Sequence, residues 1–133
     1  MSYKQGDALP ELVKAPVSRM QLVKYAGASG DFNPIHYDDE AARAGGLEGV
    51  IAHGMLSMGF LGQFVETTFG AGSYKRLEVR FQGMVKLGEV ITCRGVVTDI
   101  AQENGREYAA CEIEAVDSDG RVVTAGRAQA WLD

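Results

Sequence analysis

Two ionisable side chains stand out in this chain because of the residues between them. Asp31 and His36 are five positions apart, within the run Ala28-Ser-Gly-Asp-Phe-Asn-Pro-Ile-His36. Pro34 lacks a backbone N–H and pushes the residue before it toward extended geometry, so the run is not regular helix. Glycine, aspartate and asparagine favour tight turns with local hydrogen bonds. We therefore predict a bent, stiff loop that holds a carboxylate and an imidazole, a pair able to take and deliver protons.

A purely structural interpretation of this run also exists. An Asp-x-Asn-Pro segment is commonly only a turn, and a lone histidine is commonly a satisfied structural residue. The length of the surrounding motif distinguishes the two interpretations.

The longer motif is Tyr25-Ala-Gly-Ala-Ser-Gly-Asp-Phe-Asn-Pro-Ile-His36, followed by Ala41 or Ala42. It resembles the signature of the MaoC-like or hydratase 2 family. The downstream run Gly46-Leu-Glu-Gly-Val-Ile-Ala-His-Gly-Met-Leu-Ser-Met-Gly59 resembles the same family, especially the dehydratase subunits of bacterial fatty-acid elongation. Members are (R)-specific enoyl-CoA hydratases and 3-hydroxyacyl thioester dehydratases with a hot-dog fold. The resemblance covers most of the chain.

The resemblance implies an enzyme that hydrates trans-2-enoyl thioesters of CoA or acyl carrier protein to (R)-3-hydroxyacyl thioesters, or dehydrates them. No metal and no organic cofactor is required. Asp31 and His36 correspond to the family's catalytic pair, which acts on water, and the amide of Gly54 corresponds to its oxyanion hole. The physical interpretation agrees, because an N–H at a helix N-terminus stabilises a developing enolate oxygen.

Four further positions bear on the predicted site. Other family members carry a serine eight residues after the oxyanion-hole glycine, where this chain has Gly62. The change removes a hydroxyl and indicates extra room for an acyl chain. Asn33, His53 and Met55 are the candidate substrate-binding residues. We expect Asn33 mainly to fix the loop and His53 mainly to be structural, whereas Met55 belongs to a methionine-rich set that suits a flexible acyl chain.

Two alternative functions remain open at this stage. A hot-dog acyl-CoA thioesterase usually places a carboxylate on or near the central helix, where this chain offers only Glu66, far from the helix start. A non-catalytic acyl-CoA binding or assembly subunit would be expected to lack one member of the Asp31–His36 pair, and this chain has both.

Composition restricts the class of protein. With 133 residues and 46% hydrophobic content, the chain 1–133 is predicted to be one globular domain. A net charge of −5 and the lack of a Lys/Arg block argue against nucleic acid as a partner. No apolar run is long enough for a membrane span or a signal peptide. Cys93 and Cys111 are interpreted as buried small residues of a cytoplasmic protein.

Three helices are predicted around the loop. Ser18 is a plausible N-cap for a helix to about Ala28, and its apolar side would comprise Met20, Leu22, Val23 and Ala26. The acids Asp38-Asp39-Glu40 begin a short helix over 40–44 and are interpreted as helix-start residues, not metal ligands. The helix over 55–69 is apolar nearly all round, which predicts burial on nearly all sides.

Four long strands are predicted after the third helix, over 77–85, 90–100, a segment containing 109–115, and 122–132. Strands in an antiparallel meander with one buried helix favour an α+β, single hot-dog fold, a curled sheet wrapped around a central helix. A two-residue Asn104-Gly105 turn would pair odd-numbered residues of one strand with even-numbered residues of the next. The apolar residues of both strands are odd-numbered, so we predict a longer loop or a bulge there. An exposed sheet edge and a half-covered helix favour a homodimer, or a heterodimer with a related hot-dog subunit.

Overall fold

A computed structural model describes residues 2–132; Met1 and Asp133, the two ends of the predicted domain 1–133, lie outside the described residues. Five antiparallel strands form one sheet in the order β1-β3-β4-β5-β2. A 3-10 turn lies between the first two helices. The elements in chain order are β1 (Leu12–Val13), α1 (Arg19–Ser29), the turn Pro34–His36, α2 (Asp39–Ala44), α3 (Gly54–Phe69), β2 (Tyr74–Phe81), β3 (Thr92–Glu103), β4 (Arg106–Val116) and β5 (Val122–Trp131).

Helix α3 lies across the sheet and contacts β2, β3, β4 and β5. Its buried residues recur in pairs every four positions and form a single face: Leu56, Ser57, Phe60, Leu61, Phe64 and Val65. The prediction of burial on nearly all sides is therefore wrong for the opposite face, where Met55 and Gly59 are exposed. The reason is geometric, since within residues 2–132 the one sheet covers only one side of the helix.

The β3–β4 hairpin resolves the register conflict in the sequence. Its turn has only two residues, Asn104 (φ 51°) and Gly105 (φ 80°), so a longer loop is wrong. The predicted bulge is present further along β3, where Thr98 is skipped in the pairing. Beyond that bulge Val97 lies opposite Cys111, so both odd-numbered apolar faces point into the core.

Helix α1 begins and ends close to its predicted bounds. The Ser18 hydroxyl accepts a hydrogen bond from the Gln21 N–H at 3.1 Å, as expected of an N-cap. Leu22 and Ala26, one helical turn apart, are buried. Met20 and Val23 are exposed, so their assignment to the apolar side is wrong. They point away from the Leu22–Ala26 stripe, and that stripe alone faces the core.

Strand β2 is displaced from the predicted 77–85 toward the N-terminus. The N–H groups of Gln82 and Gly83 both bond to the Val123 carbonyl oxygen, and this shared contact ends the β2–β5 pairing at Phe81. No helix within residues 2–132 is both long enough and apolar enough to cross a lipid bilayer.

Cys93 and Cys111 are buried free thiols, as predicted. Burial raises the pKa of each thiol to about 11, with Lys14 opposing the effect at Cys93. At neutral pH both thiols are protonated, so neither is a nucleophile.

Two glycines make a matched test of the packing. Gly126 pairs with Val79, and a Cβ on it would lie 1.9 Å from the Glu78 carbonyl oxygen. Gly126→Ala should lower the free energy of unfolding by at least about 2 kcal/mol, because the backbone of β2 has to move. Gly59→Ala should raise it by up to about 1 kcal/mol, because a Cβ there meets nothing within 4 Å and alanine favours helix.

Urea denaturation of the two variants beside the wild type measures both effects. Equal stability of Gly126→Ala and wild type would contradict the close approach of β2 and β5.

Candidate active site

The loop after α1 is pinned by its own side chains. Gly30 ends the helix in the left-handed region (φ 76°). Ser29 Oγ then accepts the Asp31 N–H at 3.1 Å, Asp31 Oδ1 accepts the Asn33 N–H at 3.2 Å, and Asn33 Oδ1 accepts the Ile35 N–H at 3.2 Å. Each bond spans two residues and replaces a helical bond with a tight turn. The loop is bent, as predicted.

Asp31 and His36 face each other across this loop. His36 Nε2 lies 3.9 Å from Asp31 Oδ2, too far for a direct hydrogen bond but close enough for both atoms to hold one water. His36 Nδ1 lies 2.7 Å from the Ile51 carbonyl oxygen. Because a carbonyl only accepts, Nδ1 carries the hydrogen and Nε2 presents a lone pair to the water position. The imidazole is 9% exposed and the carboxylate 52%, so the pair opens to solvent on the aspartate side.

His53 packs directly behind this pair. Its ring stacks on the His36 ring, with centroids 3.7 Å apart and planes at 21°. Its Nε2 lies 3.1 Å from the Asp31 carbonyl oxygen. The Tyr25 ring meets it edge-on at 4.8 Å. His53 is 2% exposed, and its Nδ1 has no hydrogen-bond partner among the described residues. The structural role expected of His53 therefore includes contact with both members of the pair.

Gly54 is the first residue of α3, as predicted. The N-cap residue makes no side-chain capping bond, so the first turn presents backbone N–H groups at the positive end of the helix dipole. A Cβ at Gly54 would lie 3.2 Å from the Phe81 ring. A glycine therefore keeps the space between the helix start and β2 open.

Backbone contacts hold the start of α3 against the loop that carries Asp31 and His36. Ile51 donates its N–H to the Ile35 carbonyl oxygen at 3.1 Å and accepts from His36 with its own carbonyl. Asp39 Oδ1 accepts the Val50 N–H at 3.1 Å. That hydrogen bond and the charge of Arg19 lower the pKa of Asp39, although desolvation raises it by a smaller amount. Asp38 caps α2 through two backbone N–H groups, so these acids are helix-start residues as predicted.

The open face of α3 forms a groove of about 660 Å³, whose lining along the helix starts at Met55, the residue after Gly54. Its lining includes Tyr25, Met55, Met58, Gly59, Gly62, Glu66, Tyr74 and Leu77. A Cβ at Gly62 would lie 3.5 Å from Tyr74 Oη, so the predicted extra room is bounded by this tyrosine. The Tyr74 hydroxyl donates to the Gly62 carbonyl oxygen, and burial together with the Glu66 charge raises the pKa of Tyr74. Gly54 and Gly62 are about 12 Å apart along the helix axis.

The donor atoms of Asp31, His36 and His53 lie within 4.8 Å of one another, which invites comparison with a metal site. The two imidazoles are nearly parallel, so their lone pairs run side by side instead of converging on one point. One nitrogen of each ring is also bound to a backbone carbonyl. This arrangement suits proton transfer better than a tetrahedral metal.

Two tyrosines at the site had no role in the sequence interpretation. Tyr25 belongs to the sequence motif, and its position near the end of α1 places its ring against His53. Tyr74 gave no local signal, since its contact with Gly62 joins a strand to a helix twelve residues earlier and exists only in the folded chain.

Comparison with known proteins identifies the family of this chain. The model of the MaoC like domain matches residues 4–117. A mitochondrial 3-hydroxyacyl-[acyl-carrier-protein] dehydratase of Arabidopsis thaliana is 34% identical over 79% of this chain and 61% of its own length. An (R)-specific enoyl-CoA hydratase of Rhodospirillum rubrum is 33% identical over 65% of this chain and 62% of its own length. The chain thus spans about six tenths of each of these two relatives.

Solved structures agree as well. The (R)-hydratase from A. caviae involved in PHA biosynthesis superposes with a TM-score of 0.87 at 25% identity, over 99% of this chain and 98% of that one. This similarity confirms the predicted hot-dog fold, with a sheet that does not close. Since the family model covers most of its length, the chain belongs to the MaoC-like domain family.

Proposed function

We propose that this chain catalyses the reversible hydration of trans-2-enoyl thioesters to (R)-3-hydroxyacyl thioesters. The observation that carries the proposal is the 3.9 Å gap between Asp31 Oδ2 and His36 Nε2 beside an uncapped helix N-terminus. A carboxylate and a neutral imidazole that share one water can remove its proton as its oxygen adds to C3. The printed names of the relatives above, a hydratase and a dehydratase, support the same reaction.

Each group has a distinct task in the proposed reaction. Asp31 orients the water by accepting one of its hydrogens, and His36 Nε2 takes the proton that the water loses. The electron pair displaced from the C2–C3 double bond moves onto the thioester oxygen, where the Gly54 N–H stabilises the enolate. Return of that pair to C2, where the His36 imidazolium delivers the proton that it took, completes the addition of water and restores the neutral ring. Dehydration runs through the same steps in reverse.

The groove on α3 is the proposed place for the acyl chain. It begins at the helix start that would hold the thioester and is lined there by Met55 and Tyr25. We retain Met55 as a proposed substrate contact. Asn33 and His53 are proposed to support the site from behind, Asn33 by capping the 3-10 turn beneath the carboxylate. CoA and acyl carrier protein are both compatible carriers.

We further propose that the active form is a dimer of hot-dog subunits. Strand β2 is an edge of the sheet and, within residues 2–132, pairs only with β5. Three large apolar side chains are exposed near the site: Phe32 follows Asp31, Met55 follows Gly54, and the Phe81 ring packs against Gly54. A second copy of this chain is the simpler occupant of that surface, and a related subunit is the alternative. We place the protein in the cytoplasm because its two thiols are unpaired.

The thioesterase alternative has weaker support. Glu66 is the carboxylate on α3, and it lies about 18 Å along the helix from Gly54, at the far end of the groove. A hydrolytic water activated there would be distant from a thioester bound at the helix start.

Asp31→Asn should reduce the rate of crotonyl-CoA hydration by at least about 10²-fold, because the amide keeps the shape of the carboxylate but cannot hold water as an anionic acceptor. Loss of enoyl-thioester absorbance measures the rate. Asp99→Asn, an exposed change of the same chemistry on β3, is the matched control and should retain full activity. Undiminished turnover by Asp31→Asn would exclude the proposed mechanism.

Gly59→Leu should narrow the specificity of the enzyme for chain length. The new side chain enters open space in the groove, so kcat/KM for trans-2-dodecenoyl-CoA should fall about tenfold or more, while crotonyl-CoA should be little affected. Gly59→Ala is the control and should leave kcat/KM unchanged for both substrates. An equal loss with both substrates would place the acyl chain outside this groove.

A further inference from the structure

His53 combines two features that are costly together in a folded protein. It is 2% exposed, yet its Nδ1 has no hydrogen-bond partner among the described residues. A buried polar atom without a partner destabilises a fold, and an apolar ring would fill the same space without that cost. Its side chain also leaves the N-terminus of α3 uncapped, although it occupies the capping position. Packing and capping therefore do not account for a histidine here.

The hydrogen bond of its other nitrogen determines its protonation state. Nε2 lies 3.1 Å from the Asp31 carbonyl oxygen, which can only accept, so Nε2 carries the hydrogen. A second proton on Nδ1 would add a buried charge and a buried donor with no acceptor. In its neutral form His53 is thus the Nε2–H tautomer, hydrogen-bonded to the same residue whose carboxylate faces His36.

The neutral ring lies where it can interact with a charged His36. The two rings stack at 3.7 Å, and the Tyr25 ring, edge-on at 4.8 Å, supports His53 from a different direction. During hydration His36 Nε2 takes a proton and the ring becomes an imidazolium. A cation over a neutral aromatic face is stabilised relative to the uncharged stack.

We propose that His53 is a positioning residue for the catalytic pair. Its Nε2–H fixes the backbone that carries Asp31, and its ring face stabilises the imidazolium that forms on His36. The inference rests on the proposed hydration reaction. It adds a residue that acts through Asp31 and His36 without touching the reacting atoms.

Other charged groups around the pair are already engaged. Asp31 is the carboxylate that faces His36, and Tyr25 on α1 contacts His53 through its ring. The first turn of α3 carries no acidic side chain. The charges on the neighbouring segments are paired elsewhere: Asp38 with backbone N–H groups, Asp39 with Arg19, and Glu48 with Lys86.

Two substitutions separate the two roles. His53→Gln retains an N–H that can reach the Asp31 carbonyl but removes the ring. The acidic limb of the pH profile of kcat/KM should move to lower pH by about 0.5 unit or more, because the unstacked imidazolium loses its proton more readily. His53→Phe retains a ring face but loses the hydrogen bond. His53→Phe should therefore lower kcat about tenfold and leave the acidic limb of the pH profile of kcat/KM unchanged.

Imidazole ¹⁵N NMR of the wild-type protein tests the same inference without turnover. The sequence contains two histidines, His36 and His53, so the spectrum is simple to assign. The ¹⁵N shifts should identify neutral His53 as the Nε2–H tautomer and neutral His36 as the Nδ1–H tautomer. The His36 midpoint should fall in His53→Gln and stay in His53→Phe, in any variant whose circular dichroism matches the wild type.

The outcomes are separable. An inactive wild type with these NMR results would refute the proposed hydration and leave the positioning of His36 supported. A protonated or Nδ1–H His53, or an unchanged His36 midpoint in folded His53→Gln, would overturn the inference. If neither variant folds, the wild-type tautomers decide.

Discussion

The hydrogen bond from His36 Nδ1 to the Ile51 carbonyl oxygen, 2.7 Å long, determines what the site can do. It assigns the hydrogen to Nδ1 and leaves the lone pair of Nε2 facing Asp31. The Ile51 carbonyl is held in place by its neighbours. The Ile51 N–H donates to the Ile35 carbonyl oxygen on the loop that carries Asp31 and His36, and the Ala52 N–H donates to the Val85 carbonyl oxygen. The segment that leads into α3 is thus attached to both the loop and the connection between β2 and β3. A shift of this segment would move His36 and the start of α3 together, and with them the proposed base and the proposed oxyanion hole.

Much of this arrangement was predictable because its signals are local. The Ser18 cap, the Asp38 cap and the bend around Pro34 each depend on residues one to four positions apart. The register of the β3–β4 hairpin was predictable in part. The apolar residues of both strands are odd-numbered, so they can share one face of the sheet only if the pairing is irregular. A bulge at Thr98 and a longer turn were equally able to supply that irregularity. The sheet partners, not the turn sequence, decide between them.

What could not be predicted depends on contacts across the fold. The stack of His53 on His36 joins residues seventeen positions apart, and neither flanking sequence indicates a ring contact. The apolar circumference of α3 suggested complete burial, yet one face is open and contains Gly59 and Gly62. The two glycines weaken the helix. They also leave space along it, and the same open face beside an edge strand explains why a second subunit is expected there.

The most direct test of the central claim is to incubate the purified protein with crotonyl-CoA in D₂O and analyse the product by mass spectrometry and chiral chromatography. If Asp31 and His36 add one water across the double bond while the Gly54 amide holds the enolate oxygen, the product is (R)-3-hydroxybutyryl-CoA with a single deuterium at C2. Release of free CoA thiol without deuterium at C2 would instead identify hydrolysis of the thioester and contradict the account.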